Sequence, residues 1–181
     1  MGKGIVEKLK KDFPIEEQWV GYQLRPETPP QGILLKDQFS DLDINKMINN
    51  LRNAGAPYGI NFNPYEVLSN SRLALEATEY AKDCGMFDEF HEAVFQAYFL
   101  QGKDIGKLAV VLDCADKVGL DADMLQKNLT ENLYHDRIQQ ARQLASQYKV
   151  AGLPAYFFND KKRIVGAQQY SVFVKAIEEL L

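Results

Sequence analysis

The chain has 181 residues, 46% of them apolar and 25% charged, with a net charge of −4. That balance suits one ordinary globular domain with its own core and does not fit a disordered or collagen-like chain. Acid and base are interspersed, with no basic block for nucleic acid or an anionic membrane. No apolar run approaches the roughly 20 residues of a bilayer span, so neither partner is expected.

The first residues, Met1 to Lys8, carry both acid and base and lack the apolar stretch of a secretory signal, so the expected compartment is the cytoplasm. Ile5, Val6, Leu9 and Phe13 fall at helical spacing, which predicts an amphipathic helix ending at Pro14. Gln18 to Leu24 is rich in aromatic and branched residues and reads as a strand. Arg25 to Gly32 holds three prolines and a glycine, an irregular loop that cannot supply ladder donors. Ile44, Met47, Ile48 and Leu51 form the apolar stripe of a helix from Asp43 to Ala54, closed by the Gly55-Ala56-Pro57-Tyr58-Gly59 run.

A succession of helices follows. Ser69 to Lys82 has Ser69 or Asn70 as a cap, and Gly85 closes it. Asp88 to Phe99 carries Phe90, Val94, Phe95 and Tyr98 on one side. Ile105 to Val118 ends at Gly119, Asp121 caps a short helix to Asn128, and Glu131 to Tyr148 forms the last of the block. The end of the chain changes character. Ala155 to Phe158 suits a buried strand, Asn159 to Lys162 a turn, and Arg163 to Val165 a returning strand that stops at Gly166. Val172, Phe173, Ala176, Ile177 and Leu180 give a final amphipathic helix.

Cys84 and Cys114 stand 30 positions apart, neither a metal spacing nor a Cys-x-x-Cys, and read as small core residues. A disulfide between them stays open. His91 and His135 have no cysteine or carboxylate cluster at ligand spacing, so no metal site is expected. Glu76, Glu79, Asp88, Glu89 and Glu92 read as solvated helix faces rather than a catalytic pair. The aromatic residues Phe87, Phe90, Phe95, Tyr98 and Phe99 read as core rather than as a cofactor box.

Five segments together carry a family resemblance. Val150-Ala151-Gly152-Leu153-Pro154-Ala155-Tyr156-Phe157-Phe158 resembles the cis-proline loop of thioredoxin-fold proteins, which leads directly into a buried strand. Gly166-Ala167-Gln168 resembles the motif that FrnE-like DsbA relatives carry after their hairpin. Tyr22 to Gly32 looks like the family's strand with its proline-rich exit. Gln96-Ala97-Tyr98-Phe99 with Gly102-Lys103-Asp104-Ile105, and Asn70-Ser71-Arg72-Leu73-Ala74, look like parts of its helical domain. The chain thus resembles the DsbA family, in its FrnE-like branch, over nearly its whole length.

The resemblance implies an α/β thioredoxin-like fold, with residues 1–60 and 149–181 forming the thioredoxin-like part and 61–148 an all-helical insertion. It also implies disulfide exchange as the family activity. Gly152, Leu153, Pro154 and Gln168 are the implied substrate-binding residues, on a loop that faces an extended protein or peptide carrying a thiol or disulfide. In the family a first strand runs into Cys-Pro-x-Cys-Tyr-x-Gly-Lys, of which this chain shows only the tail, Gly2-Lys3. The expectation is therefore a fold without the first strand and without the cysteine pair. No residue is assigned a catalytic role, and the chain as given is expected to be inactive in exchange. With the first strand absent, the expectation is that a strand from another chain, as in a homodimer, fills the gap at the sheet edge, or that the monomer is poorly stable. Asn70 reads as a helix cap more readily than a ligand contact. No cofactor is expected under this reading. The alternatives are a glutathione-dependent isomerase or kappa-class transferase, with glutathione as ligand, and a redox-inactive module that binds a peptide or partner.

Overall fold

The protein is described from a computed structural model covering residues 2–39 and 44–181. Met1 and Asp43, the first residue of an expected helix, lie outside the described residues. Helix α1, Gly2–Asp12, buries Ile5, Val6 and Leu9 and leaves Lys8, Lys10 and Lys11 outward. After a stretch without regular structure come β1, Ile33–Leu34, the one-turn α2, Leu35–Gln38, and α3, Ile44–Gly55. A 3-10 turn at Ala56–Tyr58 leads to β2, Val67–Leu68, which pairs antiparallel with β1. Helices α4, Arg72–Asp83, α5, Phe87–Phe95, α6, Leu108–Val118, α7, Ala122–Thr130, and α8, His135–Gln147, follow. The chain closes with the hairpin β3, Ala155–Phe158, and β4, Lys162–Val165, and helix α9, Tyr170–Glu178.

The described interior falls into two apolar clusters. One is helical: Ala74, Ala77 and Ala81 let α4 approach Phe90 and Val94 of α5, Val111 and Cys114 of α6, and Leu125 and Leu129 of α7. The other is mixed. Ile5 and Leu9 of α1, Ile164 of β4, and Phe173, Ala176 and Ile177 of α9 close over one face of the hairpin. Apolar burial at about 25 cal/mol per Å² drives both.

Local signals place most boundaries. Asp121 accepts the Met124 backbone N–H at 2.8 Å and so caps α7. Asn159 and Asp160, both at positive φ, make the tight turn of the β3–β4 hairpin. Expected and observed elements differ most in three places. Gln18 to Leu24 is not a strand. Its backbone finds no ladder among the described residues and is held by side chains instead. The Trp19 carbonyl accepts Lys82 Nζ at 2.9 Å, and the Trp19 ring leans on Phe87 and His91. The helix expected through Phe99 ends at Phe95 and widens into a π turn over Gln96–Leu100. The two-residue β1–β2 ladder was not expected, being too short to show a period of two.

Candidate functional site

The loop at Gly152-Leu153-Pro154 lies between the end of α8 and β3. Val150 N–H donates to the Ala145 carbonyl at 2.9 Å, closing α8, and the chain then turns into β3. The Leu153–Pro154 peptide bond is cis, and Leu153 stands 47% exposed. The Pro154 carbonyl accepts Gly166 N–H at 2.7 Å, tying the loop to the end of β4. Gly152 lies alongside Val165, whose Cγ1 would be 3.5 Å from a Cβ built on the glycine.

The start of α1 comes down on this loop. A Cβ on Gly2 would meet Pro154 Cγ at 3.3 Å and Tyr156 Oη at 2.9 Å, so only a glycine lets the helix approach this closely. Gly4 is equally tight against Tyr58, where a Cβ would lie 2.8 Å from Cδ1. The first-turn N–H groups of a helix have no partner inside the helix and carry its positive dipole end. Pro154, just before β3, and Tyr156, within it, are two residues apart and both face the start of α1. The Tyr156 ring packs edge-on against Phe173 at 4.8 Å. Its hydroxyl is buried and has no hydrogen-bond partner among the described residues. Burial pushes this phenol up to about 12, with a smaller push from Tyr58.

Of the four residues implied by the resemblance, Pro154 thus meets the start of α1, and Gly152 and Leu153 precede it on the same loop. Gln168 lies just past β4, in the turn whose Gly166 N–H meets the Pro154 carbonyl. It is exposed, and its Nε2 donates back to the Val165 carbonyl at 2.9 Å, bracing the turn in which Gly166 takes a positive φ. Asn70 is committed to the fold. Its Oδ1 accepts Arg72 N–H at 2.9 Å and Gln23 Nε2 at 3.2 Å, and its Nδ2 donates to the Thr28 carbonyl. Gly106 packs onto the Asn70 backbone, and Asp104 Oδ1 accepts the Gly106 N–H at 3.0 Å. Two of the segments that carried the resemblance are therefore neighbours.

A second group of side chains flanks α1. Lys3 pairs with Asp88 of α5 at 3.0 Å. One turn on, His91 stacks on Phe95 at 4.2 Å and lies 5.7 Å from Trp19 and 5.4 Å from Phe87, measured between ring centroids. Its Nδ1 is buried without a hydrogen-bond partner among the described residues. Burial, and then the charge of Lys3, hold this imidazole below its ordinary value.

The cysteines lie in the helical part and are free thiols. Cys114 is buried in α6, and burial raises its thiol. Cys84 is exposed where α4 ends, which corrects its assignment as a core residue: a C-terminal cap faces water once the helix stops. Glu76 corrects the expected solvated acidic face. It is fully buried, with both carboxylate oxygens 3.1 Å from Arg72 Nη1 and Oε1 3.2 Å from His135 Nδ1. Among the described residues no group of three or more His, Cys, Asp or Glu could hold a metal, and no helix is long and apolar enough to cross a membrane.

Sequence reasoning missed Tyr156 as a site residue. The signal was present: two positions after a loop proline, at strand alternation, a side chain must share the face of that proline.

The family model of the DSBA-like thioredoxin domain matches residues 2–178. YwbO of Bacillus subtilis (strain 168), a protein of uncharacterized role, is 28% identical over 184 residues, covering 99% of this chain and 89% of that protein. Among solved structures, the probable DsbA oxidoreductase SCO1869 from Streptomyces coelicolor superposes with a TM-score of 0.89 at 19% identity, over 98% of this chain and 82% of the other. A 2-hydroxychromene-2-carboxylate isomerase superposes with a TM-score of 0.77 at 20% identity, over 98% of this chain and 87% of the other. At these identities the two structures speak for the fold, which is the α/β thioredoxin-like one with a large helical part.

Proposed function

This chain belongs to the DSBA-like thioredoxin domain family, and from that premise we propose that it serves thiol–disulfide chemistry on polypeptide substrates. The substrate face is the Gly152-Leu153-Pro154 loop together with the first turn of α1. The observation that carries this reading is the close packing of Pro154 against Gly2, which sets an exposed leucine and proline loop against a helix start.

Each part has a physical task. An extended substrate segment can lie along the loop and pair with backbone in strand fashion, with Leu153 offering apolar contact. The outer edge of β3 has no ladder partner among the described residues, so a strand from the substrate or a second copy can add there. The unpaired N–H groups and the dipole at a helix start favour a thiolate over a thiol, and exchange proceeds by thiolate attack through a mixed disulfide.

These 181 residues contain no Cys-x-x-Cys, and neither thiol they do contain sits at that helix start. Cys114 is sealed in the helical core and Cys84 ends α4. The chain as given therefore holds a thiol or disulfide substrate without itself exchanging it. Insulin turnover with dithiothreitol tests this directly. The expected rate equals the reductant blank; a rate clearly above the blank contradicts it.

A further inference from the structure

We propose that His91 is a proton-operated latch: on protonation its imidazolium takes Asp88 from Lys3 and releases the start of α1 from α5. What this does to a substrate rests on the substrate face assigned above, but the latch is read without any ligand, so the two can fail separately.

Lys3 of α1 and Asp88 of α5 are 3.0 Å apart, and this ion pair ties the helix start to the helical part. Asp88 and His91 are three positions apart on α5, so their side chains are neighbours on one side of the helix. His91 sits among the rings of Trp19, Phe87 and Phe95, stacked on the last at 4.2 Å. Its Nδ1 is buried with no hydrogen-bond partner among the described residues. A neutral imidazole needs only one donor, whereas an imidazolium carries two N–H donors and a charge. A buried charge without a partner is strongly unfavourable. The rings attract a cation but offer no oxygen acceptor for an N–H.

The charged surroundings leave one partner for the protonated ring. Burial, and then Lys3 from α1, oppose a cation here and keep the ring neutral to lower pH than usual. The carboxylates acting the other way are Glu92 and Asp88, both on α5. Glu92 is the next residue along the helix and so faces another side, where it accepts Gln96 Nε2 at 3.0 Å. Lys82 of α4 lies 5.5 Å over the Phe87 ring and is held by the Trp19 carbonyl and Glu79. The Asp88 side chain is 67% exposed and can turn from Lys3 to His91 without leaving water. That one move gives the imidazolium its acceptor. It also frees Lys3 to carry its own charge into solvent, away from the new cation.

The latch is tested by NMR titration of wild type, His91→Phe and Asp88→Asn from pH 8 to pH 5. The signals followed are the His91 imidazole, the backbone amides of Lys3 and Gly4, and the ε-methylene protons of Lys3. In wild type all share one midpoint, below the ordinary imidazole value of about 6.5. On the acid side the two Lys3 ε-methylene resonances merge, as the side chain loses its fixed partner. His91→Phe keeps an aromatic ring in the stack and removes the proton site, so the Lys3 and Gly4 steps disappear. In Asp88→Asn the imidazole still titrates, with its midpoint lowered by about half a unit because a carboxylate is gone. The Lys3 and Gly4 steps are again lost. Asp88 is a surface residue, so this second variant carries the test if His91→Phe fails to fold. Lys3 and Gly4 signals that stay flat while His91 titrates would overturn the latch. So would steps that persist unchanged in either variant, or a His91 that takes up no proton down to pH 5.

Discussion

His91 and Glu76 are both helical residues that a reading of spacing alone sends to ordinary places. Each is placed by contacts from far along the chain. His91 meets Lys3 of α1, Asp88 and Glu92 of its own helix, and the rings of Trp19, Phe87 and Phe95. Burial and Lys3 outweigh the two carboxylates, so the folded state holds the imidazole neutral to lower pH than the unfolded chain does. The unfolded state then binds more protons below the free value of about 6.5, and folded stability falls as pH drops through that value. Urea unfolding at pH 7.5 and 5.5 should show a smaller pH difference for His91→Phe than for wild type. Equal differences would mean that His91 does not titrate with folding. Trp19 is the single tryptophan of the chain and reports this cluster directly by fluorescence. Glu76 shows why some of the buried polar chemistry was not legible. Its spacing to Arg72 is visible as i, i+4, but its second partner, His135, is 59 positions away.

Elements were legible where a local pattern sufficed. Helix α1, the hairpin and α9 follow from periodicity and turn residues, and Asp121 from its capping chemistry. The Trp19 segment was not, because strand propensity describes fit to a pleated neighbour and no neighbour is present among the described residues. The contact between α1 and β3 is the element-scale feature on which the site depends. Gly2→Ala would set a methyl 2.9 Å from Tyr156 Oη and 3.3 Å from Pro154 Cγ. Overpacking of this kind costs about 1–3 kcal/mol. The oxygen provides the tighter of the two contacts, so the cost should shrink when Tyr156→Phe is already in place. A double-mutant cycle by thermal melting should therefore give a coupling of at least about 0.5 kcal/mol. Additive costs would show that the helix start does not rest on that hydroxyl.

At the scale of the molecule, an ion pair links the two packed parts beside the place where function is proposed. The mixed cluster under the hairpin holds α1 against β3, and the helical cluster carries α5 beside the start of α1 through Lys3 and Asp88. The family and its fold were legible because ordered motifs over the whole chain agreed, and the match over residues 2–178 bears this out. The site was legible only in part. Gly152, Leu153 and Pro154 belong to one contiguous loop, whereas Gln168 turns back on its own backbone and Tyr156 gains meaning only from the helix packed above it. Amide chemical-shift mapping during titration with an extended cysteine-containing peptide tests the substrate face most directly. The account predicts shifts concentrated at Gly2 to Gly4, Gly152, Leu153, Ala155 and Tyr156. Shifts confined to α4–α8, or none at millimolar peptide, would contradict it.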